Sequence, residues 1–216
     1  MLPSQAARTI DQNCRGLRAR SKAAPLQATR AIRPPLAPSS LTPRLAFLYF
    51  TNMALPVGSK APDFELSTKN AEGIKLVKLS DNFGKNNTLL LFFPMAFTSV
   101  CTTEMCSVSA GLKTYDGLNA VVYGISGDSP FSLETWAKEA KITVPLLSDY
   151  EHAVTKAYDV AYTSFLPSAN LPFGGVAKRS AFVIDQNGVI QYSESSDDPK
   201  VIPDFEAIGL KLKELA

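Results

Sequence analysis

Histidine is almost absent: the 216-residue chain has one, beside three cysteines and one tryptophan. One histidine leaves no His-rich metal site. Three cysteines spread over this length make neither a zinc framework nor a secreted disulfide scaffold, so no metal is expected. No apolar run approaches the roughly 20 residues of a membrane span, and no membrane role is expected. An excess of one charge is lacking too. With 22 basic and 20 acidic residues the net charge is +2, which gives no case for nucleic acid as a partner. What the chain does have is an apolar share of 45%, enough for a sizeable core. Its length suits one compact domain with a tail.

The near-neutral average hides a split. Residues 1–52 hold eight basic residues and one acid, Asp11, for a net +7, whereas residues 53–216 carry a net −5. The first stretch is rich in Ala, Arg, Ser and Pro and shows no sustained period of 3.6 or 2, so no packed core is expected there. An Arg-rich, Ser-containing, acid-poor leader has the composition of an organellar transit peptide. Met53 also stands just before the first well-patterned segment, as an over-long gene start would place it. The first reading predicts a mitochondrion or plastid location; the second predicts a cytoplasmic one. Leu45–Phe50 is apolar but too short to span a bilayer. Cys14 lies in this stretch with no polar pattern around it and reads as an incidental exposed thiol.

Residues 53–216 read as the folded domain. Phe64–Leu66 and Ile74–Leu79 alternate like strands, with a turn between them over Asn70 to Gly73. Thr88–Phe93 is a continuous apolar run, typical of a central strand buried on both faces. Pro94 ends it, and Cys101–Tyr115 follows with helical spacing at Val108, Leu112 and Tyr115. Val121–Ile125 reads as a second buried strand. Ser129-Pro130 opens a helix to Ala140, with serine as N-cap and proline at the first position. Val144–Leu147 is a short strand candidate and Ala153–Tyr158 a short helix. Ser180–Ile184 and Val189–Ser193 flank Asp185-Gln186-Asn187-Gly188, a hairpin signal. Ile202–Leu215 closes the chain as an amphipathic helix. Strand–helix–strand crossovers followed by a hairpin predict a thioredoxin-like α/β fold, with a mixed central sheet flanked by helices.

The chemistry concentrates between the first central strand and its helix. Cys101 falls in the helix's first turn, where free backbone N–H groups and the helix dipole favour an anionic sulfur. Loops at the carboxyl ends of parallel strands are also where ligands enter such sheets. Thr98, three residues earlier, can point its hydroxyl at the same spot, and Pro94 can cover the site without competing for hydrogen bonds. The folded part holds thirteen lysines but one arginine, Arg179, just before a strand. A guanidinium offers a planar fork of donors and stays charged, so it can hold a thiolate and an oxygen anion together. A surface ion pair is the plain alternative.

Pro94-x-x-x-Thr98-x-x-Cys101 matches the peroxiredoxin signature P-x-x-x-[ST]-x-x-C, and roughly residues 53–216 resemble that family. The stretch FFPMAFTSVCTTEMC resembles the alkyl hydroperoxide reductase E-like branch. The Cys101–Cys106 spacing is similar to that of the bacterioferritin comigratory protein (PrxQ) branch. The resemblance implies a thiol-dependent peroxidase acting on hydrogen peroxide and organic hydroperoxides, with no metal, haem or other cofactor. It implies that Cys101 attacks the peroxide, that Thr98 and Arg179 position it and that Pro94 shields the site. Glu104 is similar to a family glutamate that orients the arginine; a first-turn carboxylate favouring the helix dipole is the alternative. Cys101 would become a sulfenic acid that a second thiol resolves.

Cys106 is the candidate resolving residue, with a thioredoxin- or glutaredoxin-type reductant recycling the disulfide. Five residues along a helix separate Cα atoms by about 9 Å, while a disulfide needs less than about 7 Å. The helix would have to unwind in each cycle. Otherwise Cys106 is a buried structural thiol and an external thiol resolves Cys101. A monomer or a homodimer is expected.

Other classes fit less well. A thioredoxin-type exchanger would carry a cysteine where Glu104 stands. A Cys–His hydrolase would need His152, which sits in a polar run read as surface. A non-catalytic interaction module or holdase leaves the Pro94, Thr98, Cys101 and Arg179 set without a reason. Trp136 reads as core. Phe97, Phe131, Phe165, Leu166 and Phe173 read as the lining of an entrance or a dimer contact.

Overall fold

A computed structural model describes residues 54–216. The readings of Cys14, Leu45–Phe50 and the basic leader fall outside the described residues. Seven strands in this region form one sheet: β1 (Glu65–Asn70), β2 (Gly73–Lys78), β3 (Asn87–Phe92), β4 (Ala120–Ser126), β5 (Leu146–Ser148), β6 (Arg179–Ile184) and β7 (Ile190–Ser196). Four α-helices accompany them: α1 (Ser99–Asp116), α2 (Pro130–Ala140), α3 (Ala153–Ala157) and α4 (Phe205–Leu215). The sheet order is β2-β1-β5-β4-β3-β6-β7. β3, β4 and β5 are parallel, while β6 lies antiparallel to β3, and β1 to β5. This is the expected mixed sheet of the thioredoxin-like plan.

The apolar run of β3 has two faces to fill. Leu89, Leu91 and Phe93 enter one core with Met105 of α1, Trp136 of α2 and Leu212 of α4. Leu90 and Phe92 enter the other, with Tyr158, Phe182 and Leu79. Side chains alternate along a strand. In β6, Ala181 and Val183 therefore face the α1 side while Phe182 and Ile184 face away. Arg179 shares the parity of Ala181, and this is what aims it at α1. α1 can come close to the sheet because Gly124 has no side chain: a Cβ there would stand 3.1 Å from Met105 Sδ and 2.8 Å from Leu146.

Local signals worked as their physics requires. The Ser129 side chain accepts from Ser132 N, with Pro130 opening α2. α4 starts at Phe205 rather than Ile202, because Asp204 is its N-cap and accepts from Glu206 N and Ala207 N. The β6–β7 loop closes with Gly188 N donating to Asp185 O at 2.9 Å, and Gly188 sits at φ +74°. The turn therefore uses the left-handed glycine and leaves a register shift between Val183 and Ile184. Asp185 Oδ1 also accepts from Asn187 N and Val189 N, which pins the loop.

Candidate active site

α1 begins two residues earlier than its apolar spacing indicates. Thr98 is the N-cap and Ser99 the first helical residue, so Cys101 is the third. Cys101, Glu104, Met105 and Val108 recur at helical spacing and are all buried. This stripe faces the sheet, and it carries a thiol and a carboxylate among apolar neighbours. Cys101 is a free thiol with 2% of its surface exposed.

Arg179 reaches the stripe from β6. Its Nη2 donates to Cys101 Sγ at 3.1 Å, and its Nη1 donates to Glu104 Oε2 in a buried ion pair. Nε and Nη2 also donate to the carbonyl oxygen of Pro199, at 3.1 and 2.9 Å. Arg179 is thus a buried, multiply bonded cation and not a surface ion pair. Burial pushes the Glu104 carboxyl up to about 7, with the Arg179 charge pulling the other way without cancelling it. Glu104 Oε1 is buried and has no hydrogen-bond partner among the described residues. The arrangement places a fixed positive charge and a donor directly on the sulfur. It can stabilise an anion there and on an oxygen approaching it.

The loop before α1 is held from the sheet. Asp128, at the end of β4, accepts from Ala96 N and Ser126 Oγ, both at 2.8 Å, while its own carbonyl accepts from Ser148 Oγ. Phe97 in this loop adopts φ +62°, a strained conformation for a bulky residue. Pro94 is buried at the head of the loop. The first turn of α1 is clasped from the side: Trp136 Nε1 donates to Thr102 Oγ1 at 3.2 Å, and Thr102 Oγ1 donates to Thr98 O at 2.8 Å.

Other sequence-based expectations are placed differently. The Thr98 hydroxyl is exposed and donates to Met95 O at 2.9 Å rather than to Cys101. The reason is local: an N-cap hydroxyl can satisfy a carbonyl of its own loop. Cys106 lies on the opposite flank of the same unbroken helix. It is half-buried against the core, with Sγ 3.5 Å from the Ala140 carbonyl oxygen. His152 is half-buried rather than on the open surface. Its ring packs over Gly127 and Gly175, where a Cβ would stand 2.2 and 3.2 Å away, and its Nδ1 is buried with no partner among the described residues.

The aromatic residues read as one entrance lie on separate surfaces. Phe173 joins Pro94, Met95 and His152 in a pocket of about 540 Å³ beside the cysteine loop. Phe131 lines a different groove of about 780 Å³ against β1 and α3, a groove that includes neither Cys101 nor Arg179. Phe165 is buried, its N–H donating to Phe173 O. Trp136 is core, as its spacing predicts. Sequence reasoning missed Asp128 and Pro199. An aspartate closing a strand is a recognisable turn signal for the first. A backbone carbonyl leaves no signal at all.

Among the described residues, no group of three or more His, Cys, Asp or Glu is arranged to hold a metal ion, and no helix is long and apolar enough to cross a membrane.

Known proteins resemble this chain. The model of the AhpC/TSA family matches residues 57–193. The chloroplastic 2-Cys peroxiredoxin BAS1 of Spinacia oleracea is 36% identical over 144 residues, 63% of this chain and 51% of that protein. The chain thus spans about half the length of that relative. Alkyl hydroperoxide reductase E of Mycobacterium tuberculosis is 36% identical over 149 residues, 68% of this chain and 90% of that one. Among solved structures, the reduced 2-Cys peroxiredoxin of Plasmodium vivax superposes with a TM-score of 0.63 at 27% identity. That superposition covers 72% of this chain and 79% of the other.

Proposed function

The chain belongs to the AhpC/TSA family, and from that premise we propose that it is a thiol-dependent peroxidase whose nucleophile is Cys101. The observation that carries the proposal is the Arg179 guanidinium, held by Glu104 on one arm while the other donates to Cys101 Sγ at 3.1 Å. The Cys101 thiolate attacks one oxygen of the peroxide. The O–O bond breaks as the S–O bond forms, the sulfur is oxidised to a sulfenic acid, and the other oxygen leaves with a proton as water or an alcohol. Arg179 and the backbone N–H groups at the start of α1 stabilise the charge passing between sulfur and oxygen. Pro94 shields the site, and Thr98 sets the start of α1 through its carbonyl, which accepts from Thr102 N at 2.9 Å. The substrates are hydrogen peroxide and organic hydroperoxides.

In the fully reduced protein Cys106, as a thiol, then attacks the sulfenic acid, releasing water and forming a disulfide that a thioredoxin- or glutaredoxin-type dithiol reduces. The unbroken helix over both cysteines also favours a second reading, in which an external thiol resolves Cys101 directly. The primary test is stopped-flow peroxide consumption by reduced protein and by Cys101→Ser. The variant is expected to keep its fold and consume no peroxide. Retained activity in Cys101→Ser refutes the assignment. The mass of the peroxide-treated protein separates an internal disulfide, a sulfenic acid and a mixed disulfide.

A further inference from the structure

We propose that the segment after β7 is a built-in strap that positions Arg179, with Asp197 as its clasp and the Pro199 carbonyl as its bearing surface; this rests on the peroxidase reading of Cys101. Glu104 fixes one end of the guanidinium, but one ion pair leaves a planar group free to swing about that contact. Two further bonds, from Nε and Nη2 to Pro199 O, set its plane. Nη2 is the same nitrogen that donates to Cys101 Sγ. The position of the donor on the sulfur is therefore set by a carbonyl 20 residues along the chain.

That carbonyl can serve only if its segment is rigid, and the segment is tied down on every side. Asp198 N donates to Ser196 Oγ, Lys200 N to Asp198 Oδ1 and Val201 N to Asp198 O, which makes a tight turn around Pro199. Downstream, Asp204 N donates to Glu194 Oε2, which also accepts from Tyr192 Oη.

The clasp is Asp197. Its Oδ1 pairs with Lys178 Nζ at 2.7 Å, and its carbonyl accepts from Tyr162 Oη at 2.8 Å. Lys178 lies over the Tyr162 ring and immediately precedes Arg179. The burial is lopsided: the Lys178 side chain is 6% exposed and Asp197 85%. A lysine buried that deeply requires a carboxylate. The surface aspartate that supplies it brings the strap down onto the neighbouring arginine.

Asp197 is exposed, so it can be changed without opening the core. Asp197→Ala leaves the buried Lys178 ammonium without its carboxylate, so it is expected to fold with reduced stability. It is expected to lower the second-order rate with hydrogen peroxide about 5- to 20-fold, the scale of one misplaced donor. Lys178→Met with Asp197→Ala removes the unpaired charge and is expected to keep that rate loss. Asp197→Glu is expected to recover most of that loss. In an Arg179→Lys background, Asp197→Ala is expected to cost nothing further, because the strap acts through the guanidinium. An Asp197→Ala rate within twofold of the parent overturns the proposal, and so does an equal loss in both backgrounds. Hydrogen exchange at Arg179 Nε–H, followed by nitrogen-15 NMR on the reduced protein, needs no turnover. Exchange about 10-fold faster in Asp197→Ala is expected, and unchanged exchange overturns the strap. If the parent consumes no peroxide, the peroxidase reading fails while this measurement still decides the strap.

Discussion

Glu104 and Arg179 stand 75 positions apart in the chain, yet they form an ion pair whose side chains are 0% and 1% exposed. Burial raises the Glu104 carboxyl from its ordinary 4.5 to about 7 despite the neighbouring cation. Between those values the folded protein keeps a proton that the unfolded chain has released. The stabilisation linked to that proton is complete below about 4.5 and is lost as pH rises through about 7. It amounts to a few kcal/mol at most. Glu104→Gln has no proton to lose there, so its stability is expected to change less between pH 5 and pH 8. Urea denaturation of both proteins at four pH values in this range checks the sign. A parent that gains stability relative to Glu104→Gln as pH rises contradicts it.

Arg179→Lys keeps the charge but loses the fork. The guanidinium serves Glu104, Cys101 and Pro199 at once from three nitrogens. An ammonium is a single point on a flexible stem and cannot meet all three with the same geometry. The second-order rate with hydrogen peroxide is expected to fall about 10- to 100-fold, or about 1.4–2.7 kcal/mol. A rate equal to the parent's would reduce Arg179 to a structural cation.

Trp136 is the only tryptophan in the chain and donates to Thr102 in the first turn of α1. If Cys106 resolves Cys101, that turn must unwind, and the indole loses its partner and its packing against Phe97. One equivalent of peroxide is then expected to shift tryptophan emission in the parent, on the timescale of disulfide formation. Cys106→Ser is expected to complete the first turnover, accumulate sulfenic acid, show no such shift and over-oxidise more readily. Normal thioredoxin-linked turnover by Cys106→Ser, without trapped sulfenic acid, would assign resolution to an external thiol.

Much of the fold was legible in the sequence because its signals are local. The β3 run Asn87–Phe92, Ser129-Pro130 before α2, and Asn187-Gly188 between β6 and β7 each announce an element by short-range physics. The cysteine was legible for the same reason, since a motif of eight residues carries it. What surrounds it was less so. The Thr98 hydroxyl donates to Met95 O, and spacing alone cannot say that it takes a carbonyl of its own loop rather than turning to the sulfur. His152 reads as polar surface because the two glycines that admit its ring lie far away in sequence. Glu104, named through the family resemblance, is legible from the helix as well: with Cys101, Met105 and Val108 it falls on the buried stripe of α1, and a carboxylate on such a stripe calls for a cation. Pro199 acts through its main chain, which every residue possesses.

The placement of β6 beside β3, antiparallel and far along the chain, also sets when, on the peroxidase reading, Cys101 can meet its arginine during synthesis. Cys101 leaves the ribosome 78 residues ahead of Arg179, and the carbonyl of Pro199 follows 20 residues later still. A nascent chain can pair β3 with β4 and wind α1 around its cysteine while the guanidinium has yet to be joined to it. During that interval the sulfur lacks the donor that distinguishes it from any other thiol at a helix start. The sulfur therefore gains its donor only when the β6–β7 hairpin docks. A chain that stalls or is cut before residue 179 holds the proposed nucleophile but not the guanidinium that donates to it.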